Sequence, residues 1–178
     1  MTRLFPVLFL LLSGSMFSQL KFDTLSHRKL KTTVTPAILV GYHYAGDAKD
    51  NTDTFSASQM HIIEVVLARI IEYGGNHGAA KVYYAGSDLI FNNRYDFFMA
   101  PKIGVSSSAG ITLGAEVQFQ TNFEKVIPRI MPYFGFGGGG GKLTVGYNFR
   151  LMKAENFPIN TLQVGITWPI KRFKEKTI

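Results

Sequence analysis

KLTVGYNFRL at 142–151 and TLQVGITWPI at 161–170 decide the fold. In the second stretch Leu162, Val164, Ile166, Trp168 and Ile170 share one face, and Thr161, Gln163, Gly165 and Thr167 share the other. In the first, Leu143, Val145, Tyr147, Phe149 and Leu151 oppose Lys142, Thr144, Gly146, Asn148 and Arg150. A repeat of two is the period of a β-strand, whose successive side chains point to opposite faces; a helix repeats at 3.6. Further upstream Ile111, Leu113, Ala115, Val117 and Phe119 oppose Thr112, Gly114, Glu116, Gln118 and Gln120 in the same way.

Applied to the rest of the chain, the rule predicts strands at 34–45, 59–72, 78–87, 95–106, 109–121, 125–136, 141–152 and 160–172. The second segment also satisfies helical spacing through Met60, Ile63, Val66, Leu67 and Ile70, with Glu64, Arg69 and Glu72 on its other side. A strand there keeps the count even, as bacterial barrels require. Strands of about ten residues suit a tilted crossing of an apolar band ~25 Å thick, whereas strands of soluble sandwiches run nearer 5 or 6. The polar face, rich in glycine, threonine and glutamine, suits a narrow filled lumen. Large aromatics near the ends of the apolar face suit interfacial girdles. The expected fold is all-β: an antiparallel, up-and-down transmembrane β-barrel of about eight strands over 34–173.

A chain of 178 residues fits one domain. After the first twenty positions no apolar run approaches the ~20 residues of a membrane helix. The absence of cysteine excludes disulfides, thiolate zinc sites, a cysteine nucleophile and a lipidated cysteine. At the N-terminus Arg3 precedes the apolar Leu4 to Leu12, and small residues follow at Ser13, Gly14, Ser15 and Ser18, the layout of a signal peptide over 1–18. Cleavage after Ser18 leaves Gln19 first and a periplasmic segment over 19–33; bulky Met16 makes a cut after Ser15 the alternative.

PKIGVSSSAGITLGAEVQFQTNF at 101–123 and YFGFGGGGGKLTVGYNF at 133–149 resemble hairpins of small outer-membrane barrels of Gram-negative bacteria, broadly of the outer membrane protein A and X architectures. The resemblance covers roughly the C-terminal two-thirds of the chain and implies location and fold, with no agreed activity. One departure stands out. Many such barrels end on an aromatic residue, whereas here Lys171 to Ile178 follow the last strand, leaving Phe173 or Trp168 for that role.

With both termini periplasmic, the outward loops are 46–58, 88–94, 122–124 and 153–160, and the inward turns are 74–78, 106–109 and 137–140. The net charge of +7 gathers at His27, Arg28, Lys29 and Lys31 and at Lys171, Arg172, Lys174 and Lys176, the last two of these in a basic tail over 174–178. An even-stranded barrel brings both clusters to one rim, where they can hold anionic headgroups. Nucleic acid is not expected of an exported chain without a binding motif. Glu64 and Glu116 carry the parity of Lys81, Lys102, Lys142 and Arg150, so these charges are expected to pair inside, giving a plugged barrel; a gated conductance is the alternative. Gly137 to Gly141 followed by Lys142 fails the phosphate-loop motif at Phe136 and Leu143 and reads as a tight turn.

For catalysis the suggestive group is His43 and His61 flanking the first outward loop, with Asp47, Asp50, Asp53, Ser56 and Ser58 between them. A lipid A-modifying barrel enzyme would need His43 within hydrogen-bond reach of a serine. The constellation follows no motif, so no catalytic, cofactor or metal residue is assigned. The expectation is a non-catalytic, monomeric outer-membrane barrel of structural or surface-interaction type, with membrane lipids as neighbours and outward loops available to a surface partner. A soluble periplasmic barrel binding an apolar ligand is the alternative. It places Leu143, Val145, Tyr147 and Phe149 around a cavity, with Lys142 and Arg150 in water.

Overall fold

The computed structural model describes residues 32–45, 60–74, 78–92, 97–152 and 162–177. The signal segment, the basic group at 27–31 and most of the outward loops lie outside these residues. Among the described residues there are nine strands: β1 (Thr32–Ala45), β2 (Met60–Tyr73), β3 (Ala79–Asn92), β4 (Phe98–Thr121), β5 (Val126–Gly138), β6 (Gly141–Tyr147), β7 (Phe149–Arg150), β8 (Leu162–Arg172) and β9 (Lys176–Thr177). All described pairings are antiparallel, and β1 pairs with both β2 and β8, so the sheet closes on itself.

The long β4 reverses at Gly110 (φ +85°): residues 98–108 pair with β3, and residues 110–121 pair with β5. Two barrel strands therefore come from β4. β7 continues β6 in the same register along β5, and β9 extends the β8 side beside β1. The nine elements thus make eight barrel strands, in the expected up-and-down order. The β6 hairpin turns on Gly139 and Gly140, both at positive φ (59° and 90°), as a two-residue hairpin turn demands.

Segment 60–73 is a strand, not a helix. Met60, Ile62, Glu64, Val66, Ala68 and Ile70 are buried, while Ile63, Val65, Leu67 and Arg69 between them are exposed. Its β-branched isoleucines and valines fit the pleated surface better than a helix. The third strand runs on to Asn92 instead of stopping at 87 and carries Asp88 into the lumen. The last strand contains a bulge: Leu39 pairs with Pro169 and Ile38 with Lys171, leaving Ile170 as the extra residue. A proline is tolerated at such a break in the ladder. Beyond it, Lys176 and Thr177 of the basic tail pair with Val34 and Thr33.

Following the ladders round the barrel fixes its stagger. Ala37 pairs with Ala68, Ala68 with Tyr84 and Tyr84 with Gly104. The step to Gly114 is inferred from side chains: Tyr84 covers Gly104, Tyr133 covers Gly114, and the two phenol oxygens lie 2.9 Å apart. From Gly114 the path runs through Tyr133, Gly146 and Gln163 to Ala45, eight residues further along β1. At that stagger an eight-stranded barrel tilts its strands by about 36°. A line drawn across the strands from β2 to β5 consequently climbs toward the end carrying the longer connections. That loop end has links of 14 and 11 residues, after β1 and before β8, whereas the opposite turn end has none longer than five.

Candidate functional site

The lumen is filled in layers. Near the turn end Ala37, Leu39, Val66, Ala68, Ile70 and Val82 pack together with Tyr84. Near the loop end Ala45, Met60, Ile62, Ile90, Phe98, Ala100 and Ile127 form a second apolar cluster. Between them lies a polar core centred on Lys102. Its Nζ stands 2.8 Å from Glu64 Oε1, 2.8 Å from Asp88 Oδ1 and 3.3 Å from Glu116 Oε1. Glu64 Oε2 accepts from Thr167 Oγ1 at 2.6 Å and lies 3.2 Å from His43 Nε2. Tyr84 donates to Glu116 at 2.9 Å, and Gln118 also donates to Glu116. Lys142 donates to the Tyr133 hydroxyl at 3.0 Å and sits over the Tyr84 and Tyr133 rings.

Ionised groups excluded from water are tolerated only when paired and hydrogen-bonded, because desolvation of a lone charge costs several kcal/mol. Among the described residues three buried acids, Glu64, Asp88 and Glu116, are matched by three buried bases, Lys102, Arg129 and Lys142. Bulky groups fit this narrow interior because glycines face them. A Cβ at Gly165 would overlap the His43 ring, and one at Gly114 would overlap Tyr133. The space beside Lys142, Leu39 and Thr112 amounts to about 10 Å³, room for about one water.

The expected lumen pairing is thus present for Glu64 and Glu116 with Lys102, whereas Lys142 is inside as expected but lies against Tyr133 and Tyr84 instead of a carboxylate. Two members of that set sit elsewhere. Lys81 lies on the outer face, its Nζ 5.6 Å from the Tyr83 ring centroid, because Val82 and Tyr84 take the inward positions of β3. Arg150 keeps the inward register opposite Arg129 but is exposed at the loop-end rim. Asp88 is the member that periodicity missed.

The two histidines of the suggestive group lie on opposite faces of the wall. His43 is buried in the lumen against Glu64, whereas His61 lies on the outer face, where its Nδ1 is 2.6 Å from the Tyr42 hydroxyl. Adjacent strands place them near each other in register but on opposite sides of the wall. Asp47, Asp50, Asp53, Ser56 and Ser58 lie outside the described residues. Among the described residues no group of three or more histidine, aspartate or glutamate side chains is disposed to hold a metal; the Lys102 ammonium occupies the centre of the carboxylates.

The outer face is as apolar as the lumen is polar. Leu67 is 66% exposed on the same strand on which Glu64 is 1% exposed. Leu143, Tyr147 and Phe149 point outward, while Lys142 points inward. Aromatic side chains gather at both ends of this surface. Tyr42, Tyr44, Phe91, Phe97, Phe119, Phe123, Tyr147 and Phe149 lie toward the loop end, with Phe97 stacked on Phe123 at 6.5 Å; Tyr73, Phe136, Trp168 and Phe173 lie toward the turn end. Aliphatic residues such as Val65, Ile103, Leu113 and Ile166 fill the band between them. At about 3.3 Å per residue the outward positions of β2 from His61 to Tyr73 cover roughly 40 Å of strand, or about 30 Å along the barrel axis. Compared with known protein families, curated proteins and solved structures, the chain finds no match in any of the three.

Proposed function

We propose that the chain is a non-catalytic, monomeric outer-membrane β-barrel with a sealed lumen, serving a structural or surface-interaction role through its outward loops. The observation that carries this reading is the inverted polarity of the wall: ion pairs inside, exposed aliphatic side chains outside, and aromatic residues at both rims. A soluble monomer rarely exposes an apolar patch beyond a few hundred Å² (~300–600). A membrane-spanning barrel requires such a belt, ~25 Å tall between aromatic girdles. The likeness of 101–123 and 133–149 to small outer-membrane barrels and the signal-like character of 1–18 point the same way.

The soluble ligand-binding alternative needs Leu143, Val145, Tyr147 and Phe149 to face a cavity, and it is disfavoured by their outward orientation. The ion cluster around Lys102, bracketed by two apolar clusters among the described residues, favours a plug over a conducting pore. The test is fractionation of the native envelope, followed by electrophoresis in mild detergent with and without boiling. Recovery in the outer membrane with a heat-dependent mobility shift supports the proposal. Recovery as a soluble periplasmic protein overturns it.

A further inference from the structure

We infer that the outer face between β2 and β5 holds one anionic phospholipid, its phosphate on Arg69 and Lys81 and one acyl chain in the adjoining groove. The inference deepens the membrane reading and rests on it. The groove measures about 760 Å³ and is walled by Leu67, Tyr83, Ile103, Val105, Val117 and Ile130, with the small Ala85 and Ala115 leaving its floor low. Its volume lies within the usual range of ligand sites, ~300–1,000 Å³.

Charge selects the occupant. Arg69 lines the groove and is exposed on the outward face of β2. It pairs in register with Pro36 on one side and Tyr83 on the other; Lys81 follows two residues from Tyr83 on the same face. The outward neighbours of Arg69 on these strands are Ile71, Leu67, Pro36, Tyr83, Lys81 and Ala85, none of them acidic. Every described acid of β2, β3 and β4 points inward or lies at the turn-end rim. An arginine in an apolar belt without a protein counter-ion turns its guanidinium toward the nearest interface, and a phosphodiester there accepts its paired N–H groups.

Direction agrees with charge. Arg69 lies four residues from Tyr73 at the turn-end rim of the same strand. From Arg69 the groove crosses β3 and β4 to Ile130 of β5, and the strand tilt makes that path climb away from the rim toward the middle of the belt. A headgroup at the turn end with a chain rising into the groove follows the same line. The ligand is therefore a phospholipid of the leaflet on the turn side.

The test uses the folded barrel in phosphatidylcholine vesicles carrying a minor fraction of spin-labelled phosphatidylglycerol or, in parallel, spin-labelled phosphatidylcholine. Electron spin resonance reads the motionally restricted lipid at the protein surface. The expected result is an excess of restricted phosphatidylglycerol that falls about fivefold in Arg69→Gln, a similar fall in Lys81→Gln, and loss of the excess in Ala115→Phe, which fills the groove and leaves both charges. Both polar variants change outward side chains, and a preserved heat-dependent mobility shift shows that they fold. Equal restriction of the two lipids by the wild-type protein, or an excess indifferent to all three substitutions, overturns the site. Disulfide-linked dimers of Ala115→Cys with unchanged lipid preference assign the groove to a second copy and also overturn it. A folded protein that restricts neither lipid refutes the membrane reading itself.

Discussion

Replacing Lys102 by methionine keeps most of the length of the side chain and removes the ammonium that, among the described residues, contacts three buried carboxylates. The cluster is closed by apolar layers at both ends, so water cannot readily take the place of the lost charge. Lys142 is engaged with Tyr133, and Arg129 donates to Gln120 nearer the loop end. Breaking a buried ion pair by deleting one partner costs about 3–5 kcal/mol. Protonation of one or two of the carboxyls caps the loss near that range, although three contacts at 2.8, 2.8 and 3.3 Å are removed. Against a total stability of ~5–15 kcal/mol, this lowers the urea midpoint by roughly 2 M for a denaturant slope of ~2 kcal/mol per M. Trp168, the single tryptophan, reports unfolding by fluorescence in detergent micelles or vesicles. Neutralising the acids as well, in Lys102→Met with Glu64→Gln, Asp88→Asn and Glu116→Gln, restores most of the loss, since the penalty comes from uncompensated charge. A Lys102→Met protein that unfolds within about 0.5 kcal/mol of wild type refutes the sealed ion cluster.

Gly114→Val drives a branched side chain into the Tyr133 ring and destabilises by about 1–3 kcal/mol in the same urea titration; an unchanged midpoint contradicts the close approach. Ile103→Lys places a charge in the outer belt and costs about 2–4 kcal/mol in a bilayer. If that variant instead folds as well in vesicles and is more soluble without detergent, the outer face is wet. In planar bilayers the wild-type protein is expected to show no steady conductance, because two apolar layers bracket the ion cluster; stable single-channel steps contradict the plug.

Much of the architecture is legible in the alternation, and its failures have local causes. The strand limits at 109–121 and 160–172 fall within two residues of those observed, because one face there is strictly apolar and register is strongly constrained. The third strand reads as ending at 87 because Ser87 and Asp88 have the composition of a turn. Their place in the ladder depends on Lys102, fourteen positions later, which local pattern does not show. The side taken by Lys81 is not legible, because AAKVYYAG carries apolar residues on both faces and leaves its parity undetermined. His43, within the expected strand 34–45, shares the parity of the inward Ala37, Leu39 and Gly41, with Tyr42 and Tyr44 outward, so its lumen position is readable from the alternation. The pairing of glycines with large inward rings was not readable. It depends on cross-strand register, and the partner of Gly114 lies nineteen positions away at Tyr133.

Trp168 gives the most direct test of whether the apolar outer wall faces lipid. It is 65% exposed on that wall, level with Val40 of β1 and toward the turn end. In vesicles containing acyl-chain-brominated phospholipid its fluorescence should be strongly quenched, while aqueous iodide leaves it nearly untouched. Efficient iodide quenching with no effect of the brominated lipid, in protein that retains its heat-dependent mobility shift, would contradict the membrane-spanning account.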